Sequence, residues 1–587
     1  MSSVPAAART GGTARYPVNV AVYADDVALW VTGQGGRERW RAVAELQRAL
    51  DNVIYHLRQL GLTVSGGKTR ALIYAPRPAS FRPTLLIEGQ PIIHEQTVTY
   101  LGLVLDRRLT WGAAVASVVQ RMRRRMNTLR SLAGSTWGAS QNMMLQLHQG
   151  LVLSVALYAL PLLSLNTSQA ANLETVHRIA LRICLGISRS AASIPTYTEA
   201  GANTVSNHLQ KRALGHLIRI STCESAAPLL ARIAERPESR LGQLLCVLGN
   251  VAGPAPAITP LPPLHSDPHP LTVHLRVDGM GPRRRTADVV AKQLTEDHIE
   301  RHHPGWARVY TDGSVRPSDG SSTAAVFVER ADLGVGERFA FHATSTTTEL
   351  AAILLALRLI HYKSRRPDSW LLLSDSQAAL SQLYGLEGAC PLAREIAGEA
   401  LLLGGLGHRL AFQWVPSHCG IPGNERADAL ADRVHDAAEF RTSDVGPFAD
   451  AKLLIAREAA ANHPDERYAA GDRPAKPPRG TGRPAAAVVH RIRTGCALTP
   501  ARMHLLRNEA DPECPTCGEW SDLDHLLLTC PAHADARAAL TTSLAALGLP
   551  CNTTEQILRP RGDRRGKDRA LRALLTFLEE TGLLWSL

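Results

Sequence analysis

Residues 307–314 read ARVYTDGS, and three phrases downstream complete the pattern: TSTTTELAAILLAL at 344–357, LLLSDSQAAL at 371–380 and SHCGIPGNERADALA at 417–431. Each sets one acid in a different local context: Asp312, Glu349, Asp375 and Asp428. Residues 307–311 are apolar and β-branched, as a strand requires, and 323–329 and 338–342 read as two more strands of an antiparallel meander. Apolar residues at 350, 353, 354, 357 and 360 have helical spacing, which predicts a helix over 347–362. Residues 370–373 read as a buried strand ending in Ser-Asp-Ser, 409–415 as a fifth strand and 424–435 as a last helix. This order describes an α/β domain with a mixed five-stranded sheet.

That architecture gathers the acids. Asp312 ends the first strand, and Asp375 ends the fourth, which can lie beside it. Glu349 falls near the start of the first helix and Asp428 in the first turns of the last. Open α/β sheets build their sites at strand ends. Four converging carboxylates repel one another unless cations hold them. Two Mg²⁺ ions about 4 Å apart satisfy them and clamp a phosphodiester for in-line attack by water. Alone, each acid has a plainer explanation: Asp312-Gly313-Ser314 suits a turn and Asp375 a helix N-cap. In this order, with His418 ten residues before Asp428, they predict a divalent-metal nuclease core.

The rest of the sequence is consistent with a soluble, intracellular, multidomain protein. Its 587 residues suggest three or four domains. Residues 1–15 lack the apolar run of a signal peptide. The longest apolar stretch, 151–165, is broken by Ser154 and Pro161 and is too short to span a membrane. Seven of the ten cysteines are scattered singly, so no disulfide framework is indicated. The net charge of +12 is uneven: residues 1–250 hold 27 Lys and Arg against 13 Asp and Glu, whereas 306–436 hold 12 against 15. The basic surplus points to a polyanion partner in the N-terminal region. Pro-rich 253–270 and the Pro/Gly/Arg-rich 471–484 read as interdomain linkers.

In the N-terminal region, 18–31 (VNVAVYADDVALWV) suits a β-hairpin carrying Asp25 and Asp26 at its tip. YADDVALW resembles the catalytic hairpin of reverse transcriptases of non-LTR retrotransposons. The same order continues in an amphipathic helix over 37–60, then GLTVSGGKTRALIY with Lys68 at the place of the palm lysine, then VTYLGLVLDRRLTW, which resembles the primer grip. Helices over 115–132 and 141–163, the run RMRRRM at 121–126 and residues 173–201 resemble the helical thumb that follows. The chain departs from the family in one respect: residues 1–24 contain no Asp or Glu, so the two-metal polymerase site lacks its carboxylate from an earlier strand. Asp25, Asp26 and Lys68 are expected to be vestigial, and this chain alone is not expected to be a polymerase.

YTDGS, TTTELAA, SDSQAAL and WVPSHCGIPGNERADALA resemble type 1 ribonuclease H as carried by some of these retrotransposon polyproteins. The resemblance implies Mg²⁺-dependent hydrolysis of the RNA strand of an RNA–DNA hybrid, leaving a 3′-hydroxyl and a 5′-phosphate. It makes Asp312, Glu349, Asp375 and Asp428 the metal-binding carboxylates, with Asp312 bridging the ions. It puts His418 in a loop that assists proton transfer or product release. Gly313, Ser314 and Gln377 match positions near the hybrid backbone; Asn424 fits a strand contact or a helix cap equally.

Near the C-terminus, Cys514-x₂-Cys517-x₇-His525-x₄-Cys530 offers four ligands for one structural zinc, with His533 as a rival. The set resembles the C-terminal CCHC module of non-LTR retrotransposon proteins, including the upstream HRIRTG, whose His490, Arg491 and Arg493 become candidate nucleic-acid contacts. The expected organisation is a partial reverse-transcriptase palm (1–110), helical thumb (111–250), linker (251–305), ribonuclease H domain (306–436), linker (437–485), zinc module (486–535) and terminal helices (536–587). RNA, DNA and their hybrid are the expected partners, and the lifestyle of such elements implies a nuclear location. The competing reading is a non-catalytic nucleic-acid-binding remnant.

Overall fold

In the computed structural model of the protein, the β-branched run around Tyr310 becomes the central strand of a seven-stranded mixed sheet. The described residues are all except 1–3, 10–12, 14, 34–35, 75–80, 135, 257–270, 387–388, 438, 479 and 508–510. Most of the expected 253–270 linker therefore lies outside them. The chain divides into two units, Gln210–His463 and Met1–Leu209 with Pro464–Leu587. No helix among the described residues is long and apolar enough to cross a membrane.

The sheet of the Gln210–His463 unit comprises β1 (Val273–His274), β2 (Ala307–Arg316), β3 (Ser321–Val328), β4 (Leu333–Arg338), β5 (Ser369–Ser374), β6 (Arg409–Trp414) and β7 (Arg441–Thr442). Its order is β7-β4-β3-β2-β5-β6-β1. The β2–β3–β4 meander is antiparallel, while β5, β6 and β1 continue parallel from β2. Around it lie α1 (Asp288–His302), α2 (Ser345–Lys363), α3 (Gln377–Tyr384), α4 (Pro391–Gly405) and α5 (Pro422–Asp436). Strand alternation sends Val309, Leu372 and Phe412 to one core with α2 and α4. Tyr310, Leu371, Leu373 and Ala411 go to the opposite core with α1 and the start of α5. Both faces are covered, which explains why β5 is apolar without alternation.

Three expectations are corrected here. The third strand is β4 at Leu333–Arg338, not 338–342. Its sequence LGVGER gives little apolar signal because α5 lies directly on it. A Cβ on Gly334 would come 3.0 Å from Leu430, and one on Gly336 2.4 Å from Val434. The alternating Phe339 and Phe341 that mimicked a strand instead pack against the α2 core. Second, residues 271–305 are not linker: they supply edge strand β1 and helix α1. Third, residues 437–485 are not linker throughout. They contribute β7 and helix Ala451–Ala461, whose Ile455 packs with Leu244 and Leu248 of helix Arg240–Ala252.

In the other unit, strands Asn19–Tyr23 and Asp26–Trp30 form the expected hairpin, with Ala24 at φ 51° in its tight turn. It packs on helix Gly36–Gln59 through Val53 and Leu57. The ladders that follow remain separate two-stranded pieces rather than one sheet. Helix Gly112–Leu132 packs against helix Thr167–Leu185. The expected helix over 141–163 is interrupted by a π-helical turn at His148–Leu153.

Residues 464–587 share this unit instead of standing apart as a small module. A buried polar network explains why. Arg483 donates to the carbonyls of Gly134, Ala139, Ile183 and Cys184 at 2.6–3.2 Å. His490 Nδ1 meets Glu199 at 2.8 Å, both side chains 1% exposed, and its Nε2 meets Gln141 at 2.6 Å. Arg493 donates to the Leu558 and Ala475 carbonyls and lies 3.6 Å from Glu199. Arg491 is half-buried and reaches the Gly186 and Leu587 carbonyls. HRIRTG is thus a structural bolt, and the expected nucleic-acid contacts at His490 and Arg493 are corrected: both side chains are inside the fold.

Candidate active site

Parallel pairing of β2 with β5 aligns Thr311 with Ser374, so Asp312 and Asp375 come side by side. Asp375 follows the end of β5, while Asp312 lies midway along β2 rather than ending it, because β2 runs on to Arg316 in its pairing with β3. Glu349 comes to the same point from the second turn of α2. Gly313 permits this approach, since a Cβ there would sit 2.4 Å from the Glu349 nitrogen. The Gly313 N–H donates to the Glu349 carboxylate. Ligand oxygens of Asp312, Glu349 and Asp375 all lie within 4.8 Å of one another. Asp312 and Glu349 are 7% and 6% exposed, and Glu349 Oε2 is buried without a hydrogen-bond partner.

Three acids packed this way hold their protons more tightly than usual. Burial, then the charges of Asp375, Asp428 and Asp432, push Asp312 up to about 7. Burial, then Asp312, raise Glu349 well above the carboxylate range. Burial raises Asp375 as well, opposed by its hydrogen bond from Asn424 and by His418. Asp428 stands at the rim, also raised by burial. Its Oδ2 is 3.7 Å from His418 Nδ1, and Glu425 joins this pair in a second cluster. His418 is exposed on its loop with φ 48°.

The plainer explanations of these acids do not fit. The N-cap of α3 is Ser376, which accepts from Ala379 N at 3.3 Å, and not Asp375. Asp312 lies inside a ten-residue strand, not in a turn. Asn424 is neither cap nor surface contact: it is 3% exposed and its side chain hydrogen-bonds Asp375. Gln377 is exposed at the start of α3 and donates to the Leu275 carbonyl at 3.2 Å. Ser314 is half-buried in β2 beside the site.

Three contributors escaped sequence reading. Asp432 lies one turn beyond Asp428 and adds charge against Asp312. Glu425 flanks His418, and its place early in α5 could have signalled it. Asp450 accepts from the Thr344 backbone N–H and from the Thr344 and Thr347 hydroxyls at 2.8–2.9 Å, anchoring the start of the helix that carries Glu349. Nothing in GPFAD marks it.

A second ligand cluster lies in the Met1–Leu209 and Pro464–Leu587 unit. Cys514 Sγ is 3.7 Å from Cys530 Sγ, and Cys517 Sγ is 3.5 Å from His525 Nε2. His525 Nδ1 meets Glu519 at 3.0 Å and Thr529 at 3.1 Å, which turns Nε2 toward the sulfurs. The Thr516 backbone N–H, then the His525 ring, draw the Cys514 thiol down to about 6. His533 instead lies edge-on to Phe577. Asp25, Asp26 and Lys68 are exposed, and neither aspartate belongs to a metal-competent cluster among the described residues.

Residues 306–436 match the RNase H family. Among similar curated proteins is the ribonuclease H of Verminephrobacter eiseniae, 32% identical over 148 residues, spanning 22% of this chain and 90% of the relative. That of Albidiferax ferrireducens is 31% identical over 142 residues, 21% of this chain and 91% of the relative. A putative 115 kDa protein in the type-1 retrotransposable element R1DM of Drosophila melanogaster is 26% identical over 190 residues, 31% of this chain and 18% of the relative. The match frames the strands and helices that bring Asp312, Glu349 and Asp375 together, and through it the chain belongs to the ribonuclease H family.

Proposed function

We propose that this chain hydrolyses the RNA strand of RNA–DNA hybrids with Mg²⁺, as a type 1 ribonuclease H within a retrotransposon-derived protein. The observation that carries the reading is the convergence of Asp312, Glu349 and Asp375 within 4.8 Å, with a buried Glu349 oxygen lacking any partner. An all-carboxylate set suits a hard divalent cation, and the raised proton affinities are what such a site has before its cations neutralise it. Asp312, Glu349, Asp375 and Asp428 would hold the ions, which when bound supply Lewis-acid stabilisation of the charge developing on the phosphodiester.

The chain's own groups set the rest. Asn424 orients Asp375 through its hydrogen bond, and Asp450 fixes the start of α2 and so the reach of Glu349. His418, exposed and 3.7 Å from Asp428, is placed to carry a proton between the site and solvent. Ser314 and Gln377 border the hybrid, whose RNA strand is recognised by its 2′-hydroxyls. The acidic domain gains affinity from the basic N-terminal region, where Arg123, Arg124, Arg130 and Arg189 line one groove.

The flanking parts take the reading of reverse-transcriptase palm and thumb segments with a CCHC zinc module. Cys514, Cys517, His525 and Cys530 would hold a structural zinc. Tetrahedral Zn–S bonds of about 2.3 Å imply S···S edges of about 3.8 Å, close to the Cys514–Cys530 separation. The Drosophila retrotransposable-element protein supports this context. Incubating labelled hybrid with the full chain and Mg²⁺, beside Asp375→Asn, tests the activity. Products ending in 3′-hydroxyl and 5′-phosphate, lost in the variant, are expected. Binding without cleavage by either protein would establish the non-catalytic reading instead.

A further inference from the structure

Outside the carboxylate site, Asp278, His298 and His302 bring one oxygen and two imidazole nitrogens within 4.8 Å of one another. His298 and His302 lie one turn apart on α1, so their rings share a face, 4.5 Å between centroids. Asp278 belongs to the segment that links edge strand β1 to α1. Its Oδ2 is 2.7 Å from His302 Nε2 and 3.4 Å from His298 Nδ1.

The protonation of His298 is set from behind. The Gln413 side-chain amide donates from Nε2 to the Arg276 and Trp414 carbonyls at 3.0 and 2.7 Å. Its Oε1 is therefore the atom facing His298 Nε2 at 3.0 Å, and that nitrogen carries the proton. The Nδ1 lone pair accordingly points toward Asp278, whose backbone N–H reaches it with a long 3.2 Å hydrogen bond. A neutral imidazole lone pair facing a carboxylate 3.4 Å away is an arrangement that a cation relieves. His298 is buried, while the Asp278 and His302 side chains are 57% and 43% exposed, leaving one side open to an entering ion. A buried His oriented by a second polar residue is the usual support of a metal ligand.

We infer that Asp278, His298 and His302 form a site for a borderline divalent transition metal, best matched by Zn²⁺, distinct from the carboxylate site. Two imidazoles and one carboxylate favour zinc over Mg²⁺. Ligands about 2.05 Å from a tetrahedral ion lie about 3.4 Å apart, the separation already present between Asp278 and His298. The Asp278–His302 pair has to open, and the long hydrogen bond from the Asp278 N–H to His298 Nδ1 has to yield, as the ion takes the place of the two protons. Bound there, zinc clamps the β1–α1 connection to the helix, and water fills the fourth position.

The experiment is metal analysis of the full chain after equilibration with Zn²⁺ and gel filtration, beside His302→Gln and Asp278→Asn. Both positions are solvent-exposed, so circular dichroism should match the parent. Each variant is expected to hold one equivalent of zinc less than the parent. Substituting Co²⁺ gives a second readout: the variants should lose d–d absorption without losing any thiolate charge-transfer band. Equal zinc content and equal Co²⁺ spectra in parent and variants would overturn the site. Because the readout is a difference at these residues, it is independent of the cysteine cluster and of hybrid cleavage.

Discussion

Replacing Asp312 by Asn should destroy hybrid cleavage and, in Mg²⁺-free buffer, make the protein more stable. Folding holds the Asp312 carboxyl at about 7, against 3.8 for a free one, because it is buried against Asp375 and Asp428. Between those values the folded chain binds more protons than the unfolded chain, so stability falls as pH rises through the window. Above it the ionised group costs the fold about 4 kcal/mol, from 1.36 kcal/mol per tenfold change in proton affinity. Water reaching the ion-free carboxylates trims the gain on substitution to about 2–4 kcal/mol. For a unit of about 250 residues this is a rise of roughly 4–16 °C in Tm. At pH 5 the advantage should shrink to about a third, and below pH 4 it should vanish. Calorimetry of parent and variant at pH 5 and pH 8 measures both arms. Adding Mg²⁺ at pH 8 should close the gap by stabilising the parent. Equal melting temperatures at pH 8, or an advantage that persists unchanged at pH 5, would refute the claim that these acids are strained against one another.

Other consequences follow from particular contacts. Asp450→Ala removes three hydrogen bonds from the start of α2; it should cost about 1–3 kcal/mol and lower the kcat of hybrid cleavage more than it raises KM. Gly423→Ala should destabilise by about 1–3 kcal/mol, read by thermal unfolding, because its Cβ would fall 2.1 Å from the Tyr310 ring under the active site. His418→Ala should slow single-turnover cleavage by about 10²-fold or more without changing Tm, as its side chain is exposed. Glu199→Ala leaves His490 and Arg493 buried without their shared carboxylate and should cost about 3–5 kcal/mol, read by urea unfolding.

Sequence pattern located α2 through the helical spacing of its buried apolar residues, and β2, β5 and β6 through short apolar or β-branched runs, continuous in β5 because both faces of the sheet are covered. It failed at β4, where packing requires the absence of side chains: Gly334 and Gly336 make room for Leu430 and Val434, and glycine carries no hydrophobic signal. The acids followed the same division. Glu349 and Asp375 were legible because each sits near an element boundary that its neighbours announce, whereas Asp312, expected at the end of its strand, lies midway along β2 and was legible only through its TDGS phrase. Their mutual distance was not, since it depends on the β2–β5 register and on Gly313 admitting α2. Asp450 was invisible for a related reason: its partners Thr344 and Thr347 lie more than a hundred residues away. HRIRTG shows the opposite error. Clustered cations suggest a nucleic-acid surface, yet charge in a sequence cannot distinguish a group facing solvent from one turned inward onto a single acid. Glu199 is that acid, 26 residues after Leu173 in a stretch read only for its helices, and it turns His490 and Arg493 from candidate ligands of a polyanion into parts of the core.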